Sequence, residues 1–548
     1  MEKQVNRGKL MIASFLTLVA AGMGFAARGA AGPAWAEMGI GPGDFGGIMG
    51  AGFLGFGFVI LGGGVLVEMF GYKKLLLLAI VLHFISAGML FVAPGLYDDW
   101  VDSDAATATA NVQNLLYWSV FLFSVCAGLY EAVINPLVGQ LYPENQTHYL
   151  NILHAGWPGG LIVGGVLAAA FQNDTAWVNE IPWHYALCAY SGVLIILMIM
   201  VATEEFPATV SEGGKQSFDV LFSCFLSLPF ILLIVLHGLI GYMELGVDSW
   251  QTRLMENLVE NSVTVLIYTS VLMFVLRFFA GPIVHAINPI GLLFASSVIA
   301  ICGLLWLGTE IKSVAVIFAA ATLYSLGKAF LWPTMLAVAG ERYPQSGAVA
   351  MGALGAAGMI TVGFAGGRMI GAQQSEAMVA ALEETSKETV ERYDATDKSF
   401  LGYSYRELNA GLQQASMDAF GTQEEKDEEK RKEEYDKKLK SALESVDKIE
   451  GLSADQKTAR KTEVEENLLT DGEAVATAFN VGGRRALTLT ATVPCGMAAG
   501  FLILLLYFKS IGGYKVLGLD GQPVEGHSSN GAEGGSEGPE TFTPEGDA

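Results

Sequence analysis

The feature that most limits what this chain can fold into is the recurrence of long apolar runs. Twelve of them, over 10–33, 45–67, 75–94, 112–139, 150–171, 184–202, 221–245, 263–284, 289–308, 314–339, 348–371 and 486–508, carry few charges. A helix of about 20 apolar residues matches the thickness of a bilayer core, and such runs seldom recur within one soluble domain. The sequence therefore predicts an all-α polytopic membrane protein with twelve transmembrane helices in two six-helix halves. The first run follows Lys3, Arg7 and Lys9. It is too long, and too closely followed by a second, to read as a cleaved signal peptide, so it is taken as a retained helix.

Lysine and arginine placement sets the expected orientation. Lys3, Arg7, Lys9, Lys73, Lys74, Lys215, Arg342, Lys509 and Lys515 fall on one side, against Arg253 and Lys312 in short loops on the other. Both termini are expected in the cytoplasm, with the chain spanning the plasma (bacterial inner) membrane. The short outer loops are acidic, as at Asp98, Asp99, Asp102 and Asp104.

Only 16% of residues are charged, yet the net charge is −23, so the charge must be concentrated somewhere. The segment 373–485 holds 17 basic and 26 acidic residues, and 516–548 holds seven acids and no base. The first contains the run Glu424 to Lys440, dense in opposite-charge pairs four apart, with Leu439, Leu443, Val446 and Ile449 at helical spacing. It predicts a charged helical insertion on the extracytoplasmic side, between helices 11 and 12. The second, rich in Gly, Ser, Glu and Pro, predicts a disordered acidic cytoplasmic tail. The expected domains are a half at 1–202, a cytoplasmic linker at 203–220 and helices 7–11 at 221–371. The insertion at 373–485, helix 12 with its flank at 486–515 and the tail at 516–548 complete the chain.

Composition also removes function classes. A polyanion-binding surface must be basic, so no nucleic-acid partner is expected. Cys126, Cys188, Cys224, Cys302 and Cys495 all lie in apolar runs without CxxC spacing, which indicates no metal or redox site. No nucleophile–base arrangement stands out, so no enzyme and no cofactor are expected. The lipid bilayer, a small-molecule solute and a coupling cation are the implied partners, with a protein partner possible for 373–485 and a monomer as the expected state.

Ionisable groups inside apolar runs carry the functional signal, because a charge left in lipid is costly and usually lines a water-filled path. They are Arg28, Glu131, His154, His237, Glu244, Arg277, Lys328 and Arg368. Glu131 and Asn135 share one face of span four. Asn151 and His154 share a face of span five, and Tyr324, Lys328 and Trp332 form a stripe on span ten. His237, Gly241, Glu244 and Asp248 form another on span seven. Glu131 reads either as a coupling carboxylate or as a structural ion-pair partner of Arg28. Arg277 and Arg368 lie near run ends, where anchoring at the membrane surface is the expected use. The clustered glycines, such as Gly62 to Gly64, allow close helix contact and sliding. Proline opens a backbone hydrogen bond, so Asn135-Pro136, Trp157-Pro158 and Trp332-Pro333 mark expected breaks beside potential ligand contacts.

Between spans two and three stands Gly64-Val-Leu-Val-Glu68-Met-Phe-Gly71-Tyr-Lys73-Lys74. It resembles the major facilitator superfamily signature G-x-x-x-D/E-x-x-G-x-K/R-K/R, whose charged groups latch the helices on the cytoplasmic side. Within that superfamily, Glu131-Ala-Val-Ile-Asn135-Pro136, followed by Tyr149-Leu150-Asn151-Ile-Leu-His154, is similar to the fucose–hexose:cation symporter pattern. Arg277-Phe278 with Gly281, and Trp332-Pro333-Thr334, stand where that family has G-R-F-x-G and Y-P-T. The resemblance spans about 1–371 and 486–508. It implies the superfamily fold and uptake of a sugar with a proton or sodium ion. Glu131 matches the family's span-four coupling glutamate, with Glu244 a second coupling candidate. The implied substrate contacts are Asn135, Asn151, His154, Trp157, Lys328 and Trp332, and the implied gate is Gly64, Glu68, Gly71, Lys73 and Lys74.

The chain also departs from the pattern. Span one has no acid and carries Arg28 instead, as an ion-pair partner or a contact for a substrate anion. His154 replaces a glutamine and Trp157 an asparagine. The expected function is secondary transport of a monosaccharide. The alternatives are transport of organic anions or drugs, and a transport-derived sensor that uses the outer insertion.

Overall fold

The computed structural model describes residues 5–524 apart from 32–33, 36–37, 39, 41, 103–104, 173–182, 211–216, 249–262, 448 and 450. Lys3, Asp104, Lys215, Arg253 and the tail beyond Val524 lie outside the described residues. Among those described, ten helices are long and apolar enough to cross a membrane, and Ala189–Thr203 and Ile267–Arg277 are shorter apolar helices. The first half comprises α1 (Arg7–Ala30), α2 (Pro42–Phe70), α3 (Tyr72–Val101), α4 (Ala105–Leu141), α5 (Gln146–Gln172) and α6 (Ala186–Thr203). We call the end of the bundle that bears Arg7, Phe70 and Leu141 the basal end, and the opposite one distal. Local chemistry sets these elements: the Asn6 side chain accepts from Lys9 N at 3.0 Å to start α1, and Gly71 at φ 81° makes the tight turn between α2 and α3.

The second half is less regular. It contains α7 (Leu228–Gly241), α8 (Val263–Arg277), α9 (Ala280–Leu307), α10 (Val314–Lys328), α11 (Leu331–Arg342), α12 (Gly347–Thr361) and α13 (Gly367–Thr385). Span eight stops after Arg277 and resumes at Ala280, and the chain bends into span nine at Asn288 (φ 56°). Span ten stops after Lys328 and resumes at Leu331. Wide π turns end α7 at Tyr242–Gly246 and join α12 to α13 at Val362–Gly366.

This corrects the expected pattern of breaks. Pro136 and Pro158 sit inside the unbroken helices α4 and α5, bending them at most, and only Trp332-Pro333 adjoins an interruption. The π turns had no proline to announce them. Just below both turns α7 and α12 cross backbone to backbone, where a Cβ on Gly241 would collide with the Gly358 carbonyl oxygen.

The halves meet along α2 and α12, from Gly57 against Ile360 down to the basal end. There a Cβ on Gly64 of α2 would lie 2.7 Å from the Ala348 carbonyl oxygen of α12. Asn151 Nδ2 donates to Thr334 Oγ1 at 3.1 Å, and Thr147 Oγ1 donates to Glu341 Oε1 at 2.7 Å, both from α5 to α11.

The insertion is an outgrowth of two membrane helices. α13 runs out of span eleven, and a second long helix, α16 (Ala454–Thr490), runs back into α17 (Thr492–Ser510). They pack on each other, with α14 (Ala410–Gly421) and α15 (Glu428–Asp447) on α16, around a separate core that includes Val379, Leu382, Leu412, Val446 and Leu468. Ser453 and Gln456 close a capping box that starts α16. The insertion also carries a feature the helical expectation lacked, an antiparallel hairpin of β1 (Thr396–Phe400) and β2 (Tyr403–Glu407). Arg406 clamps it to Glu383 of α13 through two bonds of 2.5 and 2.9 Å, and these hold the Glu383 carboxyl below its ordinary range.

The expected disorder is corrected over 516–524, the part of the tail that the structure describes. Residues 514–524 form a short looped strap with a Leu517–Pro523 bridge, folded against the basal end of α11. Buried Tyr514 explains the order, since its hydroxyl donates to Glu341 Oε2 at 2.6 Å.

Candidate functional site

Between the halves lies a central cavity of about 70 Å³. Its wall is mainly apolar, with Phe25, Phe53, Phe56, Phe123, Trp157 and Trp332 as the large surfaces. Four charged side chains reach it: Arg28, Glu131, Glu244 and Arg277.

A hydrogen-bonded chain crosses from one half to the other beside the cavity. Asn135 Nδ2 donates to Glu131 Oε2 at 3.0 Å, one turn along α4, and Asn135 Oδ1 contacts His154 Nε2 of α5 at 2.9 Å. The His154 carbonyl accepts from Arg277 Nη1 of the second half at 2.5 Å. Arg277 also donates Nη2 to Glu244 Oε1 at 3.1 Å and Nε to the Ala329 carbonyl at 2.8 Å. The pair Arg277–Glu244 is almost fully buried, at 2% and 4% side-chain exposure.

The broken helices explain where the cations sit. Arg277 ends α8 and Lys328 ends α10, each at a mid-span interruption where backbone carbonyls lack helical partners. The Ala329 carbonyl, exposed by one break, takes the side chain that ends the other. Lys328 pairs with Asp248 and lies 5.1 Å from the centre of the Tyr324 ring, while Tyr324 donates to the Met243 carbonyl in the π turn at 3.0 Å.

Several expected placements change. Arg277 is no surface anchor: it stands at the centre, because span eight breaks there. Arg28 makes no ion pair with Glu131. It donates to the Gly24 carbonyl at 2.8 Å and to Ser86 Oγ at 2.7 Å, with its guanidinium 4.0 Å over the Phe123 ring. Phe123 and Glu131 are eight residues apart on α4, about 12 Å along the helix, which keeps the charges separate.

Of the six expected substrate contacts, His154, Trp157 and Trp332 line the cavity, whereas Asn135, Asn151 and Lys328 do not. Asn135 stands behind Glu131, Asn151 is in the basal seam, and Lys328 is committed to Asp248. His237 packs its ring 4.4 Å from that of Trp332, outside the cavity wall.

In the motif after α2, buried Glu68 approaches Gly347 of the second half, where a Cβ would be 2.8 Å from its Oε1. Lys73 donates to the Glu204 carbonyl at 2.9 Å, and Glu204 pairs with Lys9 at 2.8 Å. Lys74 is exposed and makes no ion pair among the described residues.

Sequence reasoning named Trp157 and Trp332 but passed over the phenylalanines of the wall. Their signal was present: Phe25 and Arg28, and Phe53 and Phe56, are spaced three apart and so share helix faces.

A family model for the Major Facilitator Superfamily matches residues 12–366. Among solved structures, the proton:xylose symporter XylE, bound to 6-bromo-6-deoxy-D-glucose, aligns with TM-score 0.59 and 15% identity over 68% of this chain and 90% of that one. A variant of the E. coli fucose:proton symporter FucP aligns with TM-score 0.52 and 17% identity, covering 67% and 90%. A bacterial homolog of the human lysosomal transporter Spinster, inward-facing and unoccupied, aligns with TM-score 0.52 and 13% identity over 91% and 96%. No curated protein sequence matches the chain. A family match over more than half of the sequence and the shared two-half helical fold agree: the chain belongs to the Major Facilitator Superfamily of membrane transporters.

Proposed function

We propose that the chain is a cation-coupled transporter of a monosaccharide-sized polar solute, working by alternating access. The observation that carries this reading is the chain Glu131–Asn135–His154–Arg277, which ties the two halves together beside the central cavity. A carboxylate buried with a neutral partner is costly when charged, so a proton or sodium ion beside Glu131 relieves it. Taking up that cation changes the acceptor that Asn135 Nδ2 bonds, next to the α5 segment whose His154 backbone carbonyl holds Arg277. Trp157 and Phe25, with ring centres 5.6 Å apart, offer flat faces to the C–H side of a pyranose. The likeness to the xylose and fucose symporters supports the same class of solute.

In this reading the basal end is cytoplasmic, in the plasma membrane, and Glu68, Lys73 and their partners form its latch. The seam there must part to release solute inward.

Reconstituted protein tests it. Glu131→Gln should abolish uptake driven by a proton or sodium gradient yet leave solute exchange between the two sides largely intact. Equal loss of both would assign Glu131 to binding or folding instead.

A further inference from the structure

The four charges of the central cavity do not cancel in place. Arg277 and Glu244 form a pair, while Arg28 of α1, over the Phe123 ring, and Glu131, two turns further along α4 from Phe123, make no ion pair with each other. Arg28 is only 1% exposed, so its charge is removed from water. The groups that hold it are neutral: the Gly24 carbonyl, Ser86 Oγ, the face of Phe123 and the Tyr190 side chain. Ser86 is itself fixed, donating to the Ser119 carbonyl at 2.7 Å, so the guanidinium fork is pre-oriented. Its Nε–H finds no acceptor, and no carboxylate pairs with it among the described residues.

A buried cation without an anion is costly in a membrane protein and is retained where something brings the missing charge. Here the guanidinium is part of the cavity wall, beside Phe25 and Phe123 and distal to Glu131. A guanidinium held by neutral groups binds planar carboxylates best, through paired hydrogen bonds. The rest of the wall supplies what a sugar ring needs: flat aromatic faces, with Glu131 and His154 for hydroxyls.

We propose that Arg28 binds the carboxylate of the transported solute, so that this protein carries sugar acids such as uronates and aldonates in preference to neutral sugars. The inference rests on the transport reading above and sharpens its substrate class.

The test uses purified full-length chain and four probes: D-glucuronate, D-gluconate, D-glucose and L-fucose. Thermal melting is followed by uptake or exchange in proteoliposomes. The acids should raise the melting temperature and be taken up, with the neutral sugars weaker by at least about tenfold in apparent affinity. Arg28→Gln should remove that preference. Should Arg28→Gln fail to fold, Arg28→Lys keeps the charge without the fork, and should weaken acid binding by about tenfold while remaining stable. Binding and uptake of neutral sugars but not acids would overturn the inference and leave the transport reading standing. An acid response unchanged in the variants would likewise overturn it. No response to any of the four would overturn both.

Discussion

At the scale of the residue, the charge pairing at the cavity rests on Arg277 and Glu244, 3.1 Å apart and almost fully buried. Glu131 stood out because a carboxylate inside an apolar run is costly, and the structure places it beside the cavity. Its suspected partner, Arg28, is held elsewhere by Ser86 and Phe123, while Arg277 takes Glu244. Pairing depends on which helices are neighbours and where they break, and neither is encoded in local spacing. Arg277 shows the difficulty: near the end of an apolar run it looks like an anchor, and only the interruption of span eight brings it to the centre. Removing it should be expensive. Arg277→Met leaves Glu244 as an unpaired buried charge and should destabilise the fold by about 3–5 kcal/mol. The double variant Arg277→Met, Glu244→Leu should regain a large part of that. Thermal melting of the two variants checks this, and equal loss in both would show that the pair contributes little.

At the scale of the element, the apolar runs located the spans: among the described residues ten helices are long and apolar enough to cross a membrane and two more are shorter, because hydropathy over about 20 residues is a strong signal. Irregularity was harder to read. Proline was the visible cue, yet two of the three prolines singled out lie in continuous helix, and the π turns, which hold no proline, adjoin the glycine contact between α7 and α12. The strap at 514–524 was hidden for a different reason. Its composition is that of a flexible tail, but Tyr514 and the backbone of Leu517 both end on Glu341, which also takes Thr147 from the first half. The strap therefore braces the seam that must open at the basal end. Deleting 514–548 should favour the opened seam, and Tyr514→Phe should do so more weakly. Met351, buried in that seam, reports the change: a polar maleimide should label Met351→Cys faster in the shortened chain. An unchanged rate would remove the strap from gating.

At the scale of the whole molecule, the apparent contradiction of an apolar chain with net charge −23 resolves into separate bodies. The acidic insertion has its own core and grows out of α13 and α16, the helices that join it to the second half. Its helices were legible in the charge pairs and leucine spacing, whereas the β-hairpin was not, since its two five-residue strands are too short and polar to stand out. The transmembrane body holds the balance that bears on function. Its halves are joined at the basal seam through Gly64, Asn151 and Thr147, and at the centre through Arg277.

Rocking of the halves about that centre is the claim on which everything else depends. Spin labels on exposed Asn145 and Ser510, at the basal ends of the two halves, test it most directly in a chain with Cys302 and Cys495 replaced. Pulsed electron–electron distance measurement in lipid nanodiscs should give two populations, one short and one long, whose weights shift when transported solute is added. A single distance distribution, unmoved by any solute that the protein transports, would contradict alternating access by this chain.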